Sequence, residues 1–330
     1  MIRVLELFGG IGACTKAIKN IGADHEIVDY VEIDASATKS FNAINNTNFK
    51  PQDIREWDKD VAVDLIMHGS PCQDFSVAGK NRGGDKGSGT RSSLMYETLR
   101  IVEKTKPKVV IWENVKNLLS KKHRHNFDSY LVSMSKLGYS NTFFVFNAKD
   151  FGIPQNRERV FTISVLNGSE NVEMNLSDHQ EKRLKDILID DTDEKFFLTE
   201  KQMERVPDDI FDIALAKSYD SSKPIRLGGL YDRPGNRHQA GSIFSVTGVC
   251  ATLSTMQGGN QEPIIVDTDK GIVRRLSPNE CWRLMGFDDE DFRKASEFSS
   301  DSQLYKQAGN SIVVNVLEEI IRNLFSQSLL

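Results

Sequence analysis

The sequence predicts an α/β fold, and three observations carry that prediction. Apolar runs bounded by turn residues recur at 2–8, 27–31, 61–67, 109–112 and 160–163, each with the length of a strand rather than of a helix. Between and after them come stretches with helical spacing, such as Ala17, Ile18 and Ile21, and later Val316, Leu317, Ile320, Ile321 and Leu324. Polar or charged groups stand just past the strand ends, where open α/β sheets bind their ligands. A chain of 330 residues is ample for one large core and a smaller second domain.

The first strand, 2–8, runs into Gly9-Gly10-Ile11-Gly12 and then a helix. Glycines there let a ligand approach the backbone at a helix N-terminus. The dinucleotide fingerprint would need glycine where Thr15 stands, so it fails. The second strand ends in Glu32, an acid suited to a ribose diol, and Asp53 closes the next short segment. Together these favour an adenosyl ligand without a pyrophosphate, S-adenosylmethionine rather than NAD. The third strand, 61–67, leads to Gly69-Ser70-Pro71-Cys72-Gln73, and a Gly-rich polar stretch follows at 80–89. A thiol on a stiff turn past a strand end suits a nucleophile; the competing reading is a buried structural cysteine, and tight-turn neighbours disfavour it.

The fourth strand, 109–112, delivers Glu113. Its carboxyl is either a proton donor raised by burial or a helix N-terminal acid facing solvent. Gln155-Asn156-Arg157-Glu158-Arg159 precedes the fifth strand. Arg157 and Arg159 share one face of an extended chain, suited to a phosphate, a carbonyl or merely surface acids.

Six blocks in this order resemble the cytosine-5 DNA methyltransferases. They are Glu6-Leu7-Phe8-Gly9-Gly10-Ile11-Gly12, Gly69-Ser70-Pro71-Cys72-Gln73-Asp74-Phe75-Ser76, Glu113-Asn114-Val115, Gln155-Asn156-Arg157-Glu158-Arg159, Arg275 through Phe287, and Gln307-Ala308-Gly309-Asn310-Ser311. The likeness spans almost the whole chain. Departures are few: Glu6 replaces the usual Asp, Ser70 stands where Pro or Phe is common, Gln52 replaces a Gly, and Ile33 occupies a place where some relatives carry an aromatic.

The resemblance implies a fold, a site and a reaction. The fold would be a Rossmann-like S-adenosylmethionine-dependent methyltransferase sheet at 1–190, a smaller, mostly β or irregular recognition domain at 191–285, and a C-terminal segment, 286–330, returning to the first. Cys72 would attack carbon 6 of cytosine, Glu113 would protonate ring nitrogen 3, and Arg157 and Arg159 would hold the carbonyl oxygen. For the cofactor, Phe8 would face adenine, Gly10 and Gly12 the methionine end, Glu32 the ribose and Asp53 the exocyclic amine. Pro71 and Leu94 would line the pocket, with Asn310 and Ser311 at the methionine carboxylate. The target base would be flipped out of double-stranded DNA. Residues 199–269 resemble the family's variable recognition region, where Arg233, Arg237, Gln239, Thr252, Gln257 and Asn260 are candidate DNA contacts.

Net charge is −5, unlike a nucleic-acid binder as a whole. Its distribution differs: Lys and Arg outnumber Asp and Glu by 16 to 8 over residues 71–165 and by 8 to 5 over 221–285. Positive charge thus gathers where phosphates would lie. Four cysteines show no paired spacing, and a nucleophilic thiol needs a reducing compartment, so a cytoplasmic enzyme is expected. His123 and His125 read as a solvated loop, with no metal site. No leader segment and no membrane-crossing run is read. A compact chain of this kind fits a bacterial or phage modification monomer, for which a cognate restriction endonuclease is a conceivable partner. Two rivals stand beside this reading: a tRNA cytosine-5 methyltransferase and a DNA-binding module without catalysis.

Overall fold

The computed structural model describes residues 1–70, 94–168, 171–217, 219, 221–233 and 235–330. The larger sheet is built from β1 (Ile2–Leu7), β2 (His25–Val31), β3 (Leu65–His68), β4 (Val109–Val115), β5 (Tyr139–Asn147) and, beyond the two-residue β6 (Gln155–Asn156), β7 (Glu158–Leu166). Its order is β2-β1-β3-β4-β7-β5. Strands β1 to β4 run parallel, and β7 is antiparallel to β4. A parallel sheet covered on both faces needs continuous apolar strands. Accordingly β3 is buried throughout, and β1 and β4 in all but one residue each. The third strand starts later than its apolar run, because Asp64 turns to Arg3, whose amide and guanidinium donate to it at 3.0 and 2.8 Å.

Four helices connect these strands: α1 (Ala13–Asn20), α2 (Ala35–Asn45), α3 (Met95–Thr105) and α4 (Arg124–Lys136). Asp34 caps α2 by accepting from the amides of Ser36 and Ala37. Leu5, Leu7, Ile66, Val110 and Trp112 of the sheet pack with Ile101 and Val102 of α3 and with Phe127, Tyr130 and Met134 of α4. Each such side chain contributes roughly 1.5–3 kcal/mol on burial. His123 is buried at the start of α4 rather than solvated.

Further along come α5 (Glu200–Met203), α6 (Ile210–Ala216), β8 (Arg226–Gly229), β9 (Ser242–Ser245), β10 (Cys250–Ala251), β11 (Ile264–Asp267) and β12 (Ile272–Arg275). A four-stranded sheet has the order β12-β11-β9-β8, and β10 pairs with β6. Ile210 and Ala214 of α6 pack with Leu227, Ile243, Ile264, Val266 and Val273. Then follow α7 (Pro278–Arg283), α8 (Asp289–Ser296), α9 (Asp301–Asn310) and α10 (Val314–Ser326). Arg274 and Glu280, both fully buried, form a bidentate pair at 2.8 Å, and Glu280 also accepts the Ser277 amide that opens α7.

The chain divides into two compact units: Met1–Phe146, Glu158–Ser177 and Val316–Leu330 in the first, Asn147–Arg157 and Asp178–Asn315 in the second. The expected boundaries near 190 and 285 are therefore displaced. Residues up to Ser177 stay with the first unit because they are tied to α10. The Ser177 amide and hydroxyl both donate to Glu319 at 2.9 Å, and the Asn175 amide donates to Asn323 at 2.8 Å. Residues 286–315, expected to return with the C-terminal segment, belong to the second unit. Among the described residues no helix is long and apolar enough to cross a membrane.

Candidate active site

In the first unit, the turn after β1 is held from three sides. The Tyr30 hydroxyl donates to the Gly10 carbonyl at 2.5 Å, and the Gly10 amide donates to Glu32 at 3.1 Å. Glu6 supplies the third anchor. It accepts from the amide and hydroxyl of Thr15, capping α1, whose own N-cap Gly12 has no side chain to do so. Burial pushes the Glu6 carboxyl up to about 7, against the pull of those donors.

Gly12 has φ 84, and a Cβ on it would lie 2.7 Å from the Phe41 ring, so only glycine fits. Gly10 has φ 53 with nothing within 4 Å of where its Cβ would be, which leaves a bare stretch of backbone open to a ligand. Phe8 also lies at positive φ, half-buried against the core.

Glu32 is half-buried, and burial raises its pKa while the amides of Asp34 and Gly10 lower it. Gln52 ties the next segment to β2: its carboxamide donates to Asp29 at 3.0 Å and to the Tyr30 carbonyl at 2.7 Å. Asp53 stands beside it, but its carboxylate caps the following turn and accepts the Arg55 guanidinium, which holds its pKa down. Leu94 leads into α3, half-buried against the same core.

Glu113 lies inside β4, 9% exposed, and not at a solvent-facing helix end. Its neighbour is set by register. Glu113 faces Phe161, so Arg159, two residues earlier on β7, is its diagonal partner. The Arg159 Nε lies 3.0 Å from Glu113 Oε1, with side chains 17% and 11% exposed. On the other side of β4, Ser70 is fixed against the residues that flank Glu113. Trp112 donates to the Ser70 hydroxyl at 3.0 Å and Asn114 to its carbonyl at 3.4 Å. Pro71 and Cys72 lie outside the described residues.

Arg157 is in the second unit and is put to another use. It is 4% exposed, and its guanidinium donates to the carbonyls of Leu253 (3.2 Å), Gly309 (3.1 Å) and Ser311 (2.9 Å). The shared face expected for Arg157 and Arg159 is thus not realised. Gln155 works beside Arg157: it accepts the Leu253 amide at 3.1 Å and donates to the Leu284 carbonyl at 2.8 Å. Asn310 ends α9 exposed, and Ser311 follows it buried.

The six candidate DNA contacts separate into two groups. Arg233, Arg237, Gln239 and Gln257 are exposed. Thr252 donates its hydroxyl to the Asn156 carbonyl at 2.6 Å, and Asn260 is held within the unit by Gln202, Tyr231 and Arg275. Sequence reading missed Tyr30, Trp112 and Gln155. The first two hide in apolar runs, and Gln155, though it stands in a quoted block, meets partners 98 and 129 residues away that no local spacing marks.

The profile of the C-5 cytosine-specific DNA methylase family matches residues 2–326. The type II methyltransferase M2.ScrFI of Lactococcus lactis subsp. cremoris is 33% identical, over 98% of this chain and 99% of its own. The orphan methyltransferase M.SPBetaI of Bacillus phage SPbeta is 32% identical, over 98% and 97%. The crystal structure of S. pombe Dnmt2 methyltransferase superposes with a TM-score of 0.69 at 18% identity, covering 99% of each chain, a likeness of fold.

Proposed function

The chain belongs to the C-5 cytosine-specific DNA methylase family and is a DNA (cytosine-5-)-methyltransferase, and from that premise we propose that it methylates cytosine within one specific duplex sequence, through base flipping and a covalent adduct at Cys72. The observation that carries the reading is the end of β4. There Glu113 is paired with Arg159, while its neighbours Trp112 and Asn114 hold Ser70, two residues before Cys72.

S-adenosylmethionine is the cofactor proposed, and it would supply a methyl group on a positively charged sulfur. The bare backbone at Gly10, the half-buried acid Glu32 and the half-buried Phe8 fit such a ligand. Asp53, already engaged by Arg55, would use its remaining acceptor capacity. The sequence pattern alone supports adding Pro71, Leu94, Asn310 and Ser311.

The chemistry assigns the protein groups in turn. The Cys72 thiolate adds to carbon 6 of the flipped cytosine and breaks its aromaticity, so that carbon 5 becomes nucleophilic. Glu113 gives a proton to ring nitrogen 3 as the thiolate adds, and Arg159 offsets charge at the base carbonyl. After methylation, water takes the carbon 5 proton, the bond between carbon 6 and sulfur breaks to release the thiolate, and Glu113 takes back the proton from ring nitrogen 3. Arg157 spreads its guanidinium over three backbone carbonyls of its own unit, and its proposed part at the cytosine carbonyl rests on the sequence pattern. A thiolate nucleophile also favours the reducing cytoplasm.

Transfer of labelled methyl groups into mixed-sequence duplex DNA, with tRNA in parallel, tests the proposal. Label at one recurring DNA sequence supports it. Label in tRNA alone would transfer the reading to the tRNA branch, and none in either would make the chain a binding module.

A further inference from the structure

Asn260 looks from sequence like a residue that touches a base, yet its polar groups are turned inward. Its backbone has φ 54, a left-handed conformation that Asn tolerates better than most residues. Its carbonyl accepts the Gly241 amide at 2.8 Å. Its carboxamide donates to the Tyr231 hydroxyl and accepts from Gln202 at 3.2 Å and from Arg275 at 3.4 Å. Tyr231 and Gly241 stand near the two ends of the connection between β8 and β9, and Asn260 follows the tip Gln257-Gly258-Gly259. One side chain therefore joins two loops, with α5 and the end of β12 as backing.

Each loop is also braced on its own. In the first, Asp232 accepts Arg226 at 2.7 Å and the His238 amide at 3.0 Å, while Arg233, Arg237 and Gln239 stay exposed. In the second, Met256 is 1% exposed and its amide donates to the Ser254 hydroxyl at 3.2 Å, while Gln257 to Gly259 are exposed. The exposed groups are guanidinium and carboxamide, the side-chain types that read base edges in the major groove.

We propose that Asn260 is a positioning residue for target selectivity: it locks loops 231–241 and 254–260 together so that Arg237 and Gln257 act on the same stretch of DNA, without touching the DNA itself. This rests on the duplex-DNA reading above. Hydrogen bonds to base edges weaken steeply with distance and angle. Slack between the loops therefore blurs the difference between right and wrong sequences, which is what specificity consists of.

The test maps methylated sites on random-sequence duplex DNA for the wild type, Asn260→Gly, Asn260→Asp and Tyr231→Phe. Glycine keeps the left-handed backbone accessible and removes the carboxamide, aspartate keeps its acceptor, and Tyr231→Phe deletes one hydroxyl. The readout is methylation at the wild-type target relative to sites differing by one base pair. Asn260→Gly and Tyr231→Phe should lower that ratio about tenfold, as for one displaced base-edge contact. Asn260→Asp should lower it less, and KM for S-adenosylmethionine should change by no more than about twofold, since base-edge contacts carry the discrimination. A wild-type ratio in either variant, with Tm showing it folded, overturns the proposal; if Asn260→Gly does not fold, Tyr231→Phe decides. An active wild type with unchanged variants defeats the loop lock alone. A wild type that puts no methyl group into duplex DNA defeats the functional reading as well.

Discussion

Replacing Glu6 by Gln should stabilise the protein above neutral pH and remove part of its pH dependence. Glu6 is 2% exposed, and burial raises its carboxyl from the ordinary 4.5 to about 7, although Thr15, Cys14 and Lys19 pull the other way. A group whose folded-state pKa is raised holds its proton more tightly in the native state. Its stabilising contribution is complete below about 4.5 and is lost as pH rises through about 7. A span of about 2.5 units at about 1.36 kcal/mol each comes to about 3 kcal/mol.

His68 acts in the opposite sense. Burial lowers it from 6.5 to about 3, so the unfolded chain takes up a proton that the native state refuses, and stability falls as pH drops through that window. The wild-type curve mixes both groups, and the informative quantity is the difference between Glu6→Gln and wild type. Gln keeps an oxygen for Thr15 and has no proton to lose. Urea unfolding at pH 5 and pH 8 should show that difference moving by about 2–3 kcal/mol in favour of the variant as pH rises. A difference that does not change with pH would refute the reasoning.

Three further outcomes follow from the geometry. Glu113→Gln should lower kcat by about two to four orders of magnitude, the usual effect of a lost general acid, with KM for S-adenosylmethionine little changed; a wild-type turnover number would make Glu113 a structural partner of Arg159. Gly309→Ala would place a Cβ 1.9 Å from the Ser254 carbonyl oxygen and 2.8 Å from the Thr255 Cα. Both are backbone atoms, so overpacking of about 1–3 kcal/mol or more is expected, seen as a Tm lower by several degrees; an unchanged Tm would contradict that close approach. Arg237→Ala and Gln257→Ala should each alter which DNA is methylated, at about 1–3 kcal/mol of discrimination, more than they alter cofactor affinity. Site mapping on random-sequence DNA checks this, and unchanged targets with weakened cofactor binding would reject it.

The main sheet was legible because β1, β3 and β4 are covered on both faces and so read as apolar runs. The same rule misled at 61–64, where an apolar run precedes the strand and Asp64 faces Arg3 instead. Glu113 was ambiguous because its setting depends on how far β4 continues, which the antiparallel pairing with β7 decides. Alternation put Arg157 and Arg159 on one face, a rule that holds only within a continuous strand. Arg157 lies between β6 and β7, and the carbonyls it meets are 96 to 154 residues away in sequence. No local pattern encodes such partners. The same holds for Asn260, which in sequence is one polar loop residue among many and in the structure joins Tyr231, Gln202 and Arg275.

Covalent methylation at carbon 5 through Cys72 is tested most directly by incubating duplex DNA and labelled S-adenosylmethionine with the wild type and with Cys72→Ser, then identifying the labelled nucleoside. A hydroxyl is far less ionised than a thiol at neutral pH, so the addition to carbon 6 should fail while the fold persists. The expected result is labelled 5-methylcytosine from the wild type and no more than a trace from Cys72→Ser. Substantial 5-methylcytosine from Cys72→Ser, or label on any other atom of the base, would contradict it.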